Sequence, residues 1–141
     1  ALNPDAIPGR LTFISRMGAE TVSDVLPPLL DAVKDSGHPV VWTCDPMHAN
    51  TYQHASGYKT RDFATVMTEL RNFFGACQAS GVWPGGVHIE LTGEDVTECL
   101  GGSEEILGEQ LEERYESMCD PRLNARQSLD LAFQVAELLR A

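Results

Sequence analysis

Apolar positions along this chain fall into two kinds of pattern, short continuous runs and longer stretches with helical spacing. The continuous runs predict four β-strands: RLTFIS at residues 10–15, PVVWTC at 39–44, GGVHIEL at 85–91 and, less apolar than the others, YESMCD at 115–120. A strand that is apolar at nearly every position is typical of a parallel sheet covered on both faces. We therefore expect the second strand to be buried on both sides.

A helical pattern follows the first predicted strand. Apolar residues recur at helical spacing from Val22 to Val33, and the pattern stops at Gly37. Proline lacks a backbone N–H and is tolerated mainly in the first turn of a helix. The pair Pro27 and Pro28 therefore predicts either a kink in this helix or its true first turn.

Three further helices are predicted. A long polar connection over residues 45–61 leads to the strongest pattern, which comprises Phe63, Val66, Met67, Leu70, Phe73, Phe74 and Cys77. An acidic helix with a solvated face is predicted over residues 104–113. The last helix begins near Ala125, where Asn124 and Gln127 form a capping pair, and runs to the C-terminus.

Alternation of apolar strands with helices predicts parallel βα units. Four such units fit either a small doubly wound sheet or half of an eight-fold barrel, and the pattern alone does not choose between them. In both architectures, ligands bind beside the carboxyl ends of the strands. The predicted ends carry, in chain order, Arg16, then Cys44 and Asp45 with His48, then Glu90, then Asp120.

Composition narrows the function. The chain has 141 residues, enough for one domain with a core, and 21 acidic against 10 basic residues give a net charge of −11. Nucleic acids and anionic membranes require clustered positive charge, so neither is an expected partner.

No apolar run approaches the roughly 20 residues of a membrane span, and no signal segment is apparent. Four cysteines without CxxC pairing predict reduced thiols in a cytoplasmic protein.

One imidazole and two carboxylates at successive strand ends would suit a divalent metal ion with open positions for Lewis-acid catalysis. The candidates are His48, Glu90 and Asp120. Each also has an ordinary alternative: a surface histidine, a strand-end carboxylate and a turn residue before Pro121. Arg16 also has an ordinary alternative, a simple ion pair with a neighbouring acid such as Glu20. Spacing alone leaves these alternatives open.

Longer motifs carry a resemblance to a known family. They are RMG at 16–18, CDPMHANT at 44–51, GYKTRDF at 57–63, PGGVHIELTGEDVTECLGG at 84–102 and CDPRLNARQSLDLAF at 119–133. In this order they resemble the class II (plant-type) 3-deoxy-D-arabino-heptulosonate 7-phosphate (DAHP) synthases. The resemblance covers almost the whole chain.

The resemblance implies a (β/α)8 barrel, with residues 1–141 as its C-terminal half, the last four βα units. It implies condensation of phosphoenolpyruvate with erythrose 4-phosphate to DAHP and phosphate, the first step of the shikimate pathway. It implies a divalent metal, usually manganese or cobalt, with His48, Glu90 and Asp120 as three of four protein ligands. By the same resemblance, Arg16 binds phosphoenolpyruvate, Lys59 is a catalytic and substrate-binding residue, and Arg61 binds substrate.

The resemblance also implies missing parts. The family's fourth metal ligand is a cysteine near the start of the barrel, which lies outside this chain, as do further basic residues for the two phosphates. The segment is therefore expected to be inactive alone and to need an N-terminal part of the same barrel, within a homo-oligomer. Two alternatives remain open: another metal-dependent barrel enzyme such as an aldolase, and a non-catalytic half-barrel that binds partners through its exposed edge strands.

Overall fold

A computed structural model describes residues 2–140 and divides the chain into two compact units. The first unit comprises the described residues up to Ala49 together with Glu69–His88. The second comprises Asn50–Thr68 and the described residues from Ile89 onward. None of the helices in the described range is long and apolar enough to cross a membrane.

Within residues 2–140, the structure contains five strands and three α-helices. The strands are β1 (Thr12–Ser15), β2 (Val41–Cys44), β3 (Tyr52–Gln53), β4 (Lys59–Thr60) and β5 (Pro84–Val87). The helices are α1 (Val22–Asp35), α2 (Phe63–Ala79) and α3 (Ala125–Leu138), with 3-10 turns at His48–Asn50 and Gly108–Gln110.

The first unit contains a parallel sheet in the order β1-β2-β5. Its register pairs Phe13 with Trp42, whose rings meet edge to face with centroids 5.4 Å apart, and Cys44 with Val87. Trp42 and Cys44 are buried on one face of β2, whereas Val41 and Thr43 on the other face are only half-buried. The prediction that β2 is buried on both faces is therefore correct for one face only. The sheet confirms the parallel α/β pattern for three of the four predicted strands.

Helix α1 begins at Val22 and contains both prolines in its interior. The first-turn alternative for Pro27 and Pro28 is therefore wrong. Two backbone hydrogen bonds are lost at these positions because proline has no N–H. Val22, Leu26 and Leu30 are fully buried along one face, and this burial stabilises a helix that its local sequence disfavours.

Helix α2 matches its prediction closely, since it begins at Phe63 and all seven of its predicted apolar positions are buried. Helix α3 begins at Ala125, as predicted. The side chain of Asn124 accepts from the backbone N–H of Gln127, and the side chain of Gln127 accepts from the backbone N–H of Asn124. This is the predicted capping box. The helix ends at Leu138, and Ala141 lies outside the described residues.

Two predicted elements are wrong, and both lie in the second unit. The acidic stretch 104–113 forms turns with one short 3-10 segment, although its acids are exposed as expected. Glu105 has a positive φ of 51°, which no helix accommodates. The stretch 115–120 forms bends and no strand, because two of its backbone N–H groups bind a side chain, that of Glu98, instead of a neighbouring strand.

One hairpin had no detectable signal in the sequence, and one strand end was misplaced. Strands β3 and β4 pair antiparallel within the stretch predicted as a polar connection, with Tyr52 opposite Thr60. Strand β5 ends at Val87, so Glu90 follows three residues beyond it. In the second unit, Leu91 and Leu123 form an isolated parallel bridge, which ties the segment of Glu90 to the segment after Asp120.

Candidate functional site

In the first unit, the polar residues at the end of β2 are organised around Asp45. This residue directly follows β2 and is fully buried. Its Oδ1 accepts the backbone N–H groups of Met47 at 3.0 Å and His48 at 3.2 Å. A short acidic side chain that binds backbone two and three residues ahead fixes a tight turn. This turn starts the 3-10 segment that carries His48.

The same carboxylate orients the imidazole of His48. Oδ2 of Asp45 lies 2.7 Å from Nδ1 of His48, whose side chain is 26% exposed. A carboxylate beside Nδ1 favours the proton on that nitrogen and holds the imidazole ring in one orientation. Burial works to raise the pKa of Asp45, but the hydrogen bonds donated by His48 and Met47 outweigh it and lower the pKa. Asp45 is therefore a stable anion behind His48.

Arg16, the arginine of the RMG motif, binds the same oxygen. Its Nε and Nη2 each lie 2.8 Å from Oδ2 of Asp45, while its side chain remains 49% exposed. Arg16 therefore pairs with Asp45, and not with Glu20, the acid that the sequence offered as an ordinary ion-pair partner. The backbone N–H groups of Met17 and Gly18 donate to Oε1 of the buried Glu69 at 3.0 and 2.9 Å. The RMG turn is thus held from two sides, by Asp45 through the side chain of Arg16 and by Glu69 through the backbone of Met17 and Gly18.

In the second unit, the two predicted carboxylate ligands lie close together. One carboxylate oxygen of Glu90 and one of Asp120 are within 4.8 Å of each other, and both residues are half-buried. Two carboxylates at this distance repel when both are ionised. A cation between them relieves that repulsion, so this pair has the chemistry and the spacing of two ligands of a hard divalent ion.

Lys59 and Arg61 flank this carboxylate pair, but their surroundings differ. Lys59 lies in β4 with its side chain 56% exposed, and its Nζ is 3.3 Å from Oδ1 of Asp120. Arg61 is completely buried, and its Nη1 lies 2.7 Å from Oε2 of Glu90. Lys59 can reach a bound anion, whereas the guanidinium of Arg61 is directed at protein groups.

The structure thus brings the predicted site residues together in two sets. Arg16 and His48 meet through Asp45 in the first unit. Lys59 and Arg61 accompany Asp120 and Glu90, respectively, in the second unit.

Three acids in this neighbourhood had no role predicted for them: Asp45, Glu69 and Glu98. All three are fully buried and all three accept backbone N–H groups. Glu69 carried a detectable signal, because it is an acid among the apolar positions of the strongest helical pattern. Glu98 carried none, since its partners are 18 to 24 residues away in the sequence.

The four cysteines are free thiols, as predicted. Burial raises the pKa of Cys77 to about 11 and that of Cys99 to about 12, and it raises the pKa of Cys44 further. Only Cys119, next to Asp120, is exposed. The buried three are therefore inert packing residues, and Cys44 beside Asp45 is one of them.

The chain is similar in sequence to proteins of a known family. The model of the class-II DAHP synthetase family matches residues 1–136. The chain is 54% identical over 139 residues to phospho-2-dehydro-3-deoxyheptonate aldolase AroG of Mycolicibacterium smegmatis. It is 57% identical over 139 residues to phospho-2-dehydro-3-deoxyheptonate aldolase of Streptomyces coelicolor.

Coverage of these relatives is uneven. Each alignment spans 99% of this chain but only 30% of the Mycolicibacterium smegmatis protein and 31% of the Streptomyces coelicolor protein. A phospho-2-dehydro-3-deoxyheptonate aldolase of Streptomyces lividans is 53% identical over 139 residues, and there the alignment spans 94% of the relative. The chain thus corresponds to about a third of the two longer relatives.

Proposed function

The chain belongs to the class-II DAHP synthetase family, and from that premise we propose that it forms part of an enzyme that condenses phosphoenolpyruvate with erythrose 4-phosphate. The products are DAHP and inorganic phosphate, at the start of aromatic biosynthesis. One observation carries the proposal: the buried carboxylate of Asp45 fixes both Arg16, the expected phosphoenolpyruvate-binding residue, and His48, an expected metal ligand.

We propose that the chain supplies the C-terminal half of a (β/α)8 barrel. The parallel strands β1, β2 and β5 support this, as does the correspondence to about 30% of two longer relatives. Among the described strands, β1 pairs only with β2, and Ile14 in β1 is 53% exposed. Strands of parallel sheets are normally covered on both faces and paired along both edges. The edge of the sheet at β1 is therefore suited to pairing with a further strand of the barrel.

His48, Glu90 and Asp120 are the proposed ligands of one divalent metal ion, manganese or cobalt. The donor set fits: an imidazole that Asp45 orients through its Nδ1, and two carboxylates within 4.8 Å of each other. When bound, the ion supplies Lewis acidity toward the aldehyde oxygen of erythrose 4-phosphate.

Two basic side chains have proposed roles toward the anionic substrates. Arg16 offers a planar fork of donors that suits the carboxylate or phosphate of phosphoenolpyruvate, and Asp45 fixes its direction. Lys59 holds a phosphate or donates a proton to the hydroxyl that forms when carbon 3 of phosphoenolpyruvate attacks the aldehyde carbon. Water adds at carbon 2, and phosphate leaves by C–O cleavage. Within a chain of net charge −11, these groups focus positive charge locally.

Activity requires the parts that the family places before this segment, including a cysteine as fourth ligand and further phosphate-binding residues. We propose that this chain is inactive alone and active when assembled with the N-terminal part of the barrel, in a cytoplasmic homo-oligomer.

Complementation tests this proposal. The chain is co-expressed with the part of the Streptomyces coelicolor relative that it does not match, and phosphate release is measured with Mn²⁺ and both substrates. We expect release that depends on both substrates and falls by about a hundredfold in Lys59→Met. The matched control is Lys34→Met, because Lys34 is the only other lysine and lies on α1 in the first unit. An assembled complex without activity would contradict the proposal.

A further inference from the structure

We propose that Arg61 and Glu98 are positioning residues that hold the carboxylates of Glu90 and Asp120 at the spacing one divalent ion needs. The inference rests on the proposed metal site and adds two residues to it that touch no ion themselves. It changes the expected role of Arg61 from substrate binding to orientation of Glu90.

Arg61 links the two carboxylate segments directly. Its Nη1 lies 2.7 Å from Oε2 of Glu90 and also donates to the carbonyl oxygen of Pro121, the residue after Asp120. Its Nε donates to Oγ1 of Thr51 at 2.7 Å. A buried guanidinium is stable only when its charge is paired and its donors are used. Because the side chain is fully buried, Arg61 acts on a bound ion or substrate through Glu90.

Glu98 fixes the backbone on both sides of Asp120. Its carboxylate accepts the backbone N–H groups of Glu116 at 3.0 Å, Ser117 at 2.8 Å and Arg122 at 2.7 Å. The guanidinium of Arg122 binds the same carboxylate through Nε at 3.1 Å and Nη2 at 2.8 Å. The fully buried carboxylate of Glu98 thus accepts backbone N–H groups that a neighbouring strand would otherwise bind in the stretch around Asp120.

The two supports act on one piece of backbone. Oγ of Ser117 donates to the carbonyl oxygen of Asp120 at 2.6 Å, and the backbone N–H of Leu123 donates to the carbonyl oxygen of Glu90 at 3.0 Å. Two ionised carboxylates would otherwise separate, since their repulsion favours distance. Partners behind metal ligands that hold them in place commonly change metal affinity by about ten- to a hundredfold when removed.

Glu98→Gln and Arg61→Lys test the inference. Glutamine keeps the shape of Glu98 but loses its charge, and lysine keeps the charge of Arg61 but loses its planar fork. The matched controls are Glu112→Gln and Arg126→Lys, at exposed positions of the same unit. Two quantities are measured on the full chain: amide hydrogen exchange without metal, and Mn²⁺ affinity from the electron paramagnetic resonance signal of free Mn²⁺.

We expect amides at 116, 117 and 122 to exchange at least about tenfold faster in Glu98→Gln, and Mn²⁺ affinity to fall about tenfold in both variants. The controls should match the wild type in both measurements. Wild-type affinity in Glu98→Gln and Arg61→Lys would overturn the positioning role while leaving the metal site standing. A wild-type chain that binds no Mn²⁺ would overturn the proposed metal site and the positioning role with it. Unchanged exchange in Glu98→Gln would overturn the support from Glu98.

Discussion

Oδ2 of Asp45 lies 2.7 Å from Nδ1 of His48, and the same oxygen lies 2.8 Å from Nη2 of Arg16. A single buried carboxylate therefore determines the direction of two side chains that sequence resemblance assigns to metal and substrate. Removal of its charge should impair both at once, even though Asp45 itself has no proposed contact with either ligand.

Asp45→Asn is expected to lower Mn²⁺ affinity by about tenfold, because the amide supports the imidazole of His48 less strongly than the carboxylate does. The variant also loses the ion pair with Arg16. Mn²⁺ titration followed by electron paramagnetic resonance measures the effect. Asp31→Asn on α1 is the control, since Asp31 is exposed in the same unit. Equal affinities in the two variants would count against the orienting role.

Glu98 should make the stability of the chain sensitive to acid. Burial works to raise the pKa of Glu98, but the hydrogen bonds from Arg122 and from the backbone lower it below the ordinary 4.5. A carboxyl whose pKa is lower in the folded state stabilises the fold above its unfolded pKa and loses that contribution as pH falls through the folded pKa. The free energy of unfolding should therefore drop below about pH 4.5.

Glu98→Gln should remove this dependence and cost about 2 kcal/mol at pH 7, a typical value for hydrogen bonds to a charged group. Urea unfolding of the variant and the wild type at pH 7, 4.5 and 3 measures both effects. The difference between the two proteins is expected to shrink toward pH 3. A difference that is the same at all three pH values would contradict the assignment of this acid sensitivity to Glu98.

Thiol labelling should separate Cys119 from the other cysteines. Cys119 is exposed, whereas Cys44, Cys77 and Cys99 are buried and have raised pKa values. Iodoacetamide at pH 8 is expected to add one group to the native chain and four to the chain in guanidinium chloride, as read by intact mass. Cys119→Ser should add none in the native state. Rapid labelling of a second cysteine would show that the buried thiols open to solvent.

The sequence predicted those elements whose stability is encoded locally. The apolar face from Phe63 to Cys77 and the cap formed by Asn124 and Gln127 depend on residues within a few turns of one another, and both were confirmed. The acidic stretch 104–113 was misread because glutamates favour helices, although the stretch lacks a helical apolar face. Only Ile106 and Leu111 are buried in it.

Long-range polar contacts explain what the sequence could not predict. The stretch 115–120 is apolar enough for a strand, yet Glu98 binds its backbone from 18 residues away. Arg61 reads as one more basic residue of a substrate motif, and only the structure shows that it is fully buried and paired with Glu90. The partners of Asp45 were also hidden, because Arg16 lies 29 residues earlier. Residue types indicated the chemistry, but the supporting contacts required the structure.

Mn²⁺ titration of the wild-type chain, His48→Ala and His38→Ala tests the proposed metal site most directly. His38 is an exposed histidine of the same unit that has no proposed role, so its variant controls for weak surface binding. The account predicts one bound ion in the wild type, affinity lower by about tenfold or more in His48→Ala, and no change in His38→Ala. Equal affinity in the wild type and His48→Ala would contradict it.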